Sequence, residues 1–284
     1  MKKLRTLLPL SIGLATCFWL QSCNSSPKAA NQTATSAQSK LVLTGSSTVA
    51  PLATEMAKRY ESEHPGVRID VQSGGSSRGI ADARQGVADI GMVSRALKEN
   101  EKDLQAFAIA KDGVSVILNQ ANPVQQLSDQ QIVEIYTKKI TNWQAVGGKD
   151  APITVVNKAE GRSTLELFAH YFKLETKDIK SDVVIGDNEQ GIKTVAGNPH
   201  AIGYVSIGSA EYGATHGTPI KLLPVEGVAA SIANVASEKF PISRPLNLVT
   251  KTAPTGLQKD FIEFARSPGV QNIVKQQYFV PATQ

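Results

Sequence analysis

The residues in this 284-residue chain whose types and spacing could do chemistry are hydroxyls that recur where a strand gives way to a helix. The fullest case is Asn157-Lys158-Ala159-Glu160-Gly161-Arg162-Ser163-Thr164. It follows the β-branched run Thr154-Val155-Val156 and precedes Leu165, Phe168, Ala169 and Phe172 at helical spacing. A helix start carries unpaired backbone N–H groups and roughly half a positive charge, so the turn is a seat for an anion. Arg162 adds a planar fork of charged donors, and Ser163 and Thr164 add neutral ones. Taken alone, the turn reads equally well as an ordinary hydroxyl cap beside a surface arginine.

Two further turns repeat the construction. The apolar run Leu41-Val42-Leu43 is followed by Thr44-Gly45-Ser46-Ser47-Thr48 and a helical pattern from Val49 to Tyr60, with Pro51 in the first turn, where its missing N–H costs nothing. The alternating run Val67–Val71 is followed by Gln72-Ser73-Gly74-Gly75-Ser76-Ser77-Arg78-Gly79 and a helix through Arg84. A strand over Val87–Arg95 ends in Ser94-Arg95, a fourth set of donors. Several helix starts presenting hydroxyls in one chain predict convergence on a single anion.

The elements that must position these turns alternate strand and helix from Lys40 onward, which predicts an α/β architecture with largely parallel sheets. Strands are expected at Ala106–Ala110, Gly113–Asn119 and Ala201–Ser206, and an extended segment at Pro241–Thr250. Helices are expected over Leu127–Tyr136, where Ser128 and Gln131 form a capping box, and over Glu189–Ala196, Gly256–Ala265 and Val270–Tyr278. Asn142–Gly148 is a turn-rich connection. No tandem repeat is present.

Residues 1–22 form a signal: Lys2, Lys3 and Arg5, then a mainly apolar stretch Leu7–Leu20, short of the ~20 residues that span a bilayer. Leu20-Gln21-Ser22-Cys23 resembles a bacterial lipoprotein signal, which predicts cleavage before Cys23 and lipidation of that residue. An ordinary secretory signal cut nearby is the alternative. Residues 23–39, from the lipidated cysteine onward, are rich in Ser, Ala, Thr, Gln and Asn and read as a flexible leash. With Cys17 removed and Cys23 acylated, no thiol remains for a disulfide, a thiolate metal site or a cysteine nucleophile. The formal charge of +5 falls to +2 once the three cations of the signal are gone. With no basic run or aromatic–basic interleaving in the remainder, nucleic acid is excluded as a partner.

Seven stretches then carry a family resemblance in one order: TGSSTVAPL at 44–52, SGGSSRGI at 73–80, ADIGMVSRAL at 88–97, ITNWQAVGG at 140–148, NKAEGRSTLELF at 157–168, AIGYVSIGSA at 201–210 and PISRPLNLVT at 241–250. Together they resemble the phosphate-binding proteins of bacterial ABC importers. The resemblance implies a two-lobed type II periplasmic-binding-protein fold with a hinge of two crossing strands, expected at Gly113–Asn119 and Arg244–Thr250. Lobe one is then 40–117 plus 246–284 and lobe two 118–245. It implies phosphate contacts from Ser47, Thr48 and the Val49 N–H, from Ser76 and Ser77, from Ser94 and Arg95, and from Gly161, Arg162, Ser163 and Thr164. Arg78, Lys158 and Glu160 stand behind them. It further implies a monomer outside the cytoplasm, tethered by lipid alone and partnered by a permease, with neither cofactor nor metal.

The chain departs from the best-known members at three places. Those have an Asp at the position of Arg95, an Arg at that of Lys158, and Ser-Gly at Arg162-Ser163. The missing carboxylate would have accepted a proton from phosphate, so the seat becomes more cationic and opens to other tetrahedral oxyanions. Glu160 is left either to pair with Arg162 or Lys158 or to accept that proton. Arg95 and Arg162 are the expected charge partners of the ligand.

Two other classes compete. Gly75-Ser76-Ser77-Arg78-Gly79 fits the nucleophile elbow of a serine hydrolase centred on Ser77, with His170, His200 or His216 as base. That leaves the other hydroxyl turns unexplained. A surface lipoprotein that kept the fold without transport is the third reading. His64 and the other three histidines show no metal-ligand spacing.

Overall fold

The computed structural model describes residues 39–282; the signal, Cys23 and the leash up to residue 38 lie outside the described residues, and Ser39, expected as the end of the leash, opens the first strand. The chain runs β1 (Ser39–Gly45), α1 (Val49–Glu63), β2 (Val67–Ser73), α2 (Ser76–Gln85), β3 (Ile90–Val93), β4 (Gln105–Asn119), α3 (Asp129–Tyr136), β5 (Thr154–Lys158), α4 (Ser163–Tyr171) and β6 (Val183–Ile185). It continues through α5 (Asn188–Ala196), β7 (Ala201–Ser206), α6 (Ile207–Thr215), β8 (Ile220–Leu222), α7 (Ile232–Ala236), β9 (Ser243–Thr250), α8 (Gly256–Arg266), α9 (Gln271–Gln276) and β10 (Val280–Pro281).

The strands form a mixed sheet in the order β2-β1-β3-β9-β4-β7-β5-β6, with β8 and β10 also pairing to β4. The expectation of largely parallel sheets holds only on the flanks, where β1 lies parallel to β2 and β3, and β5 to β6 and β7. In the middle, β9 is antiparallel to both β3 and β4, and β4 to β7. The two strands expected at 106–110 and 113–119 are one strand, β4, because Lys111-Asp112 continues the ladder with β9 instead of turning.

Two main apolar cores flank that middle. The first gathers α1, through Leu52, Met56 and Tyr60 at helical spacing, with Leu43, Ile90, Leu248 and Phe261. The second gathers Tyr136, Trp143, Phe168, Tyr204 and Phe240. Along β4 the core changes between Ala110 and Val114, and on the other strand between Leu246 of β9 and Ile242 just before it. The residues paired in that interval are Lys111 with Pro245, Asp112 with Arg244 and Gly113 with Ser243.

Local signals read from the sequence explain the helix starts. The Ser128–Gln131 capping box forms in both directions, at 2.9 and 3.2 Å. Gly75, at φ 98°, turns the chain into α2, and Gly161, at φ 77°, turns it towards α4. Gly45, at φ 133°, lies so close to the Met92 carbonyl that a Cβ there would sit 2.3 Å from it, which brings β1 and β3 together beneath the first turn.

Candidate functional site

The hydroxyls of the helix starts are not spent on capping. Thr48 precedes α1, Ser76 opens α2, and Ser163 and Thr164 open α4, with Arg162 as the residue before it; neither Thr48 nor Arg162 caps its helix with its side chain. At α1 the capping is done by Ser46, whose Oγ accepts the N–H groups of Thr48 at 3.1 Å and Val49 at 3.3 Å. The other hydroxyls are thereby free to point inward.

They meet in one buried cluster. Ser76 and Ser163 share a hydrogen bond of 2.5 Å although 87 positions apart, and Ser163 also contacts Ser94 at 2.9 Å. Ser46 donates to Ser94 at 2.9 Å, and the Ser94 N–H donates to Ser76 at 3.1 Å. Thr48, Ser76, Ser94, Ser163 and Thr164 are each at most 4% exposed. Hydroxyls both donate and accept, so a buried cluster of them can turn its protons towards an anion.

The cation that donates to these hydroxyls is Arg244, expected only at the start of a hinge strand. Its Nη1 donates to Thr164 at 3.0 Å and Ser94 at 3.3 Å, and its Nη2 to Thr48 at 3.1 Å. The other edge of the guanidinium pairs with Asp112, at 3.1 Å from Nε and 2.8 Å from Nη2, and both side chains are fully buried. The second oxygen of Asp112 accepts the Gly208 N–H at 3.1 Å. Arg244 thus rises from the segment where β4 and β9 change cores and reaches hydroxyls on both sides. The available signal was an arginine inside the extended segment Pro241–Thr250, beside Ile242, Leu246 and Leu248, where burial demands a carboxylate partner.

Arg95 is committed elsewhere. Its fork binds both oxygens of Glu101, at 2.6 and 2.8 Å, and its Nε lies 2.9 Å from Glu166. These carboxylates hold its proton above the usual arginine range despite the burial that opposes it. The expectation that Arg95 is a main charge partner of the ligand meets this obstacle: all three of its guanidinium nitrogens already face Glu101 or Glu166, whereas Arg244 keeps Nη1 on hydroxyls. Arg162 is half-buried, its Nε has no hydrogen-bond partner, and its side chain passes Gly75 and Gly186.

The remaining expected residues are dispersed. Ser47 lines a cavity of about 240 Å³ with Pro51, Ser73 and Asn188. The Val49 N–H is taken by Ser46. Ser77 points to Glu166 at 3.5 Å, and its N–H donates to the Gly161 carbonyl at 3.1 Å. Arg78 is exposed and pairs with Asp82, and Glu160 is exposed. Of the histidines expected as a base for Ser77, His216 stacks on Tyr212, and the side chain that Ser77 itself meets is the Glu166 carboxylate.

Lys158 is only 2% exposed and donates to Asn188 Oδ1 at 3.0 Å. Asn188 in turn donates to Thr48 at 3.0 Å. Burial pushes the Lys158 amine down to about 7; Asp187 resists that shift, and Arg244 and Arg162 add to it. Asn188 carries no signal in the sequence: it opens α5 directly after Asp187, whose side chain caps the helix.

Among the described residues, no group of three or more His, Cys, Asp or Glu is placed to hold a metal, and no helix is long and apolar enough to cross a membrane. Among known proteins, the description "PBP superfamily domain" matches residues 30–268. The phosphate-binding protein PstS of Bacillus subtilis (strain 168) is 30% identical over 252 residues, covering 87% of this chain and 82% of that one. A putative phosphate ABC transporter substrate-binding protein from Clostridium perfringens, solved with bound phosphate, is similar at a TM-score of 0.80 and 34% identity, over 86% of this chain and all of that one. An ABC-type phosphate transport receptor from Vibrio cholerae gives 0.69 and 32%, with the same coverage.

Proposed function

Because the chain belongs to the PBP superfamily, and within it to the phosphate-binding proteins of bacterial ABC importers, we propose that it captures inorganic phosphate between two lobes and delivers it to an importer's permease. The observation that carries this reading is the Arg244 fork, fully buried against Asp112 and fanned onto Thr48, Ser94 and Thr164. The ligand contacts are the hydroxyls of Thr48, Ser76, Ser94, Ser163 and Thr164 together with Arg244, in place of Arg95.

The arrangement suits a tetrahedral oxyanion. Thr48 Oγ1 accepts N–H groups from both Asn188 and Arg244, so its own proton is directed outward as a donor. Phosphate oxygens would exchange hydroxyl–hydroxyl bonds for charge-assisted ones, which are roughly twice as strong. The starts of α2 and α4 add positive ends of helix dipoles. Because the ligand draws hydroxyls from both cores, binding favours closure, and closure signals occupancy to the permease. No bond in the ligand is made or broken.

Lipidation of Cys23, the leash over 23–39 and a monomeric state complete the proposal: a protein held outside the cytoplasm by lipid. The experiment that tests the ligand is a thermal shift against phosphate, arsenate, sulfate and molybdate. A ligand at a hundredfold excess over its Kd stabilises by about 2.7 kcal/mol. A shift with phosphate supports the reading, and one with sulfate as well widens it to a general oxyanion trap. No shift with any of them overturns it in favour of a surface lipoprotein without transport.

A further inference from the structure

We propose that Lys158 is the charge-adjusting residue of this site: it takes up a proton when a doubly charged tetrahedral oxyanion binds, and through Asn188 it fixes Thr48 as a donor. The inference rests on the phosphate-capture reading and adds a proton to its stoichiometry.

The geometry is a relay of side chains. Lys158 closes β5 with its amine buried, and Asn188 Oδ1 accepts from it at 3.0 Å. That oxygen also accepts the Ser206 N–H at 3.4 Å, which fixes the amide so that its nitrogen faces Thr48 at 3.0 Å. Thr48 also receives Arg244 Nη2 at 3.1 Å. Lys158 is therefore one neutral amide and one hydroxyl away from the guanidinium that holds the cluster together.

The surroundings leave the amine without a fixed counter-charge. An ammonium has three donors, and the acceptor it meets here is a neutral amide oxygen. The groups acting on it come from each element packed around β5. Asp187, before α5, favours the proton; Arg244 of β9 and Arg162, before α4, oppose it; and Tyr204 of β7 lies against the Lys158 backbone N–H. Burial outweighs Asp187, so the amine sits at about 7 and is half neutral in neutral solution. Arg244 is cancelled by Asp112. With Arg244 paired, a dianion entering the cluster meets the fixed charge of Arg162, and the group able to add a further one is Lys158, by taking a proton from solvent. An arginine at this position would be charged throughout and would exchange none.

The test is calorimetry of phosphate binding to the intact protein in buffers of different ionisation enthalpy at about pH 8.5, for the parent and Lys158→Arg. There the free amine is mostly neutral and phosphate is mostly the dianion. The parent should take up close to one proton more than the variant. Its Kd should rise about tenfold per pH unit above neutrality, while that of the variant stays nearly flat. Should Lys158→Arg not fold, the side-chain NMR titration of Lys158 in the parent decides, with phosphate raising its titration midpoint by more than about two pH units. Equal proton uptake in the two proteins, or a midpoint unmoved by phosphate, overturns the inference and leaves phosphate capture standing. No binding heat at any pH overturns both.

Discussion

Substituting Asp112→Asn should destabilise the free protein and at the same time enlarge its response to phosphate. Asp112 is fully buried; one oxygen serves Arg244 and the other the Gly208 N–H. An asparagine has one carbonyl oxygen and one NH2 group. Whichever way the amide turns, either Arg244 or Gly208 faces a donor. Arg244 also keeps a buried charge that nothing neutralises. Breaking such a pair from one side costs about 3–5 kcal/mol. For a chain of this size, that lowers Tm by roughly 6–20 °C. Phosphate reverses the sign, because the removed carboxylate no longer repels the anion and the anion supplies the missing counter-charge. A thermal melt with and without saturating phosphate reads both effects. Arg244→Met is the control: it should lose stability and phosphate response together. If Asp112→Asn melts within about 2 °C of the parent, or responds to phosphate less than the parent does, the pairing of Arg244 between Asp112 and the ligand is wrong.

Three further outcomes are expected. Glu166 of α4 reaches back to Arg95 at 2.9 Å and Lys98 at 2.8 Å across the two cores, so Glu166→Gln should speed phosphate release by an amount worth roughly 1–2 kcal/mol, read by stopped-flow; an unchanged release rate would mean the pair does not resist opening. A Cβ on Gly75 would lie 2.8 Å from the Gly161 carbonyl and 2.9 Å from the Arg162 side chain, at φ 98°. Gly75→Ala should therefore cost about 1–3 kcal/mol and weaken phosphate binding in calorimetry, and undiminished affinity would mean the gap between the turns is not needed. Lys158 is lowered from 10.5 to about 7, so the unfolded chain holds a proton in that window that the folded chain does not, and stability rises with pH from about 7 upward. Relative to Lys158→Met, the unliganded parent should gain on the order of 4 kcal/mol by about pH 10, measured by denaturant titration, and parallel pH profiles would refute the burial cost.

Much of the local structure was legible because its causes are local. The period of Leu52, Met56 and Tyr60, the capping box at Ser128 and Gln131, and the glycines before α2 and α4 all act within a few residues. The antiparallel middle of the sheet was not legible: β4 and β9 carry strand composition whichever way they run, and their pairing joins residues 130 to 145 positions apart. Nor could composition show that Lys111-Asp112 extends β4, since what holds Asp112 in a buried ladder is Arg244.

The sequence by itself determined that hydroxyls stand at several helix starts, and through seven ordered stretches it determined the family. Those hydroxyls do meet in one cluster, formed by Ser76, Ser94 and Ser163 from separate turns. Only the tertiary structure decided which cation faces them. Arg95 and Arg162 adjoin the hydroxyl turns in sequence, whereas Arg244 lies 80 positions from Thr164 and 196 from Thr48. A guanidinium serves whichever buried acceptors surround it, and burial selects partners by position in space. Glu101 and Glu166 claim Arg95, while Asp112 holds Arg244 with its fork open to the cluster.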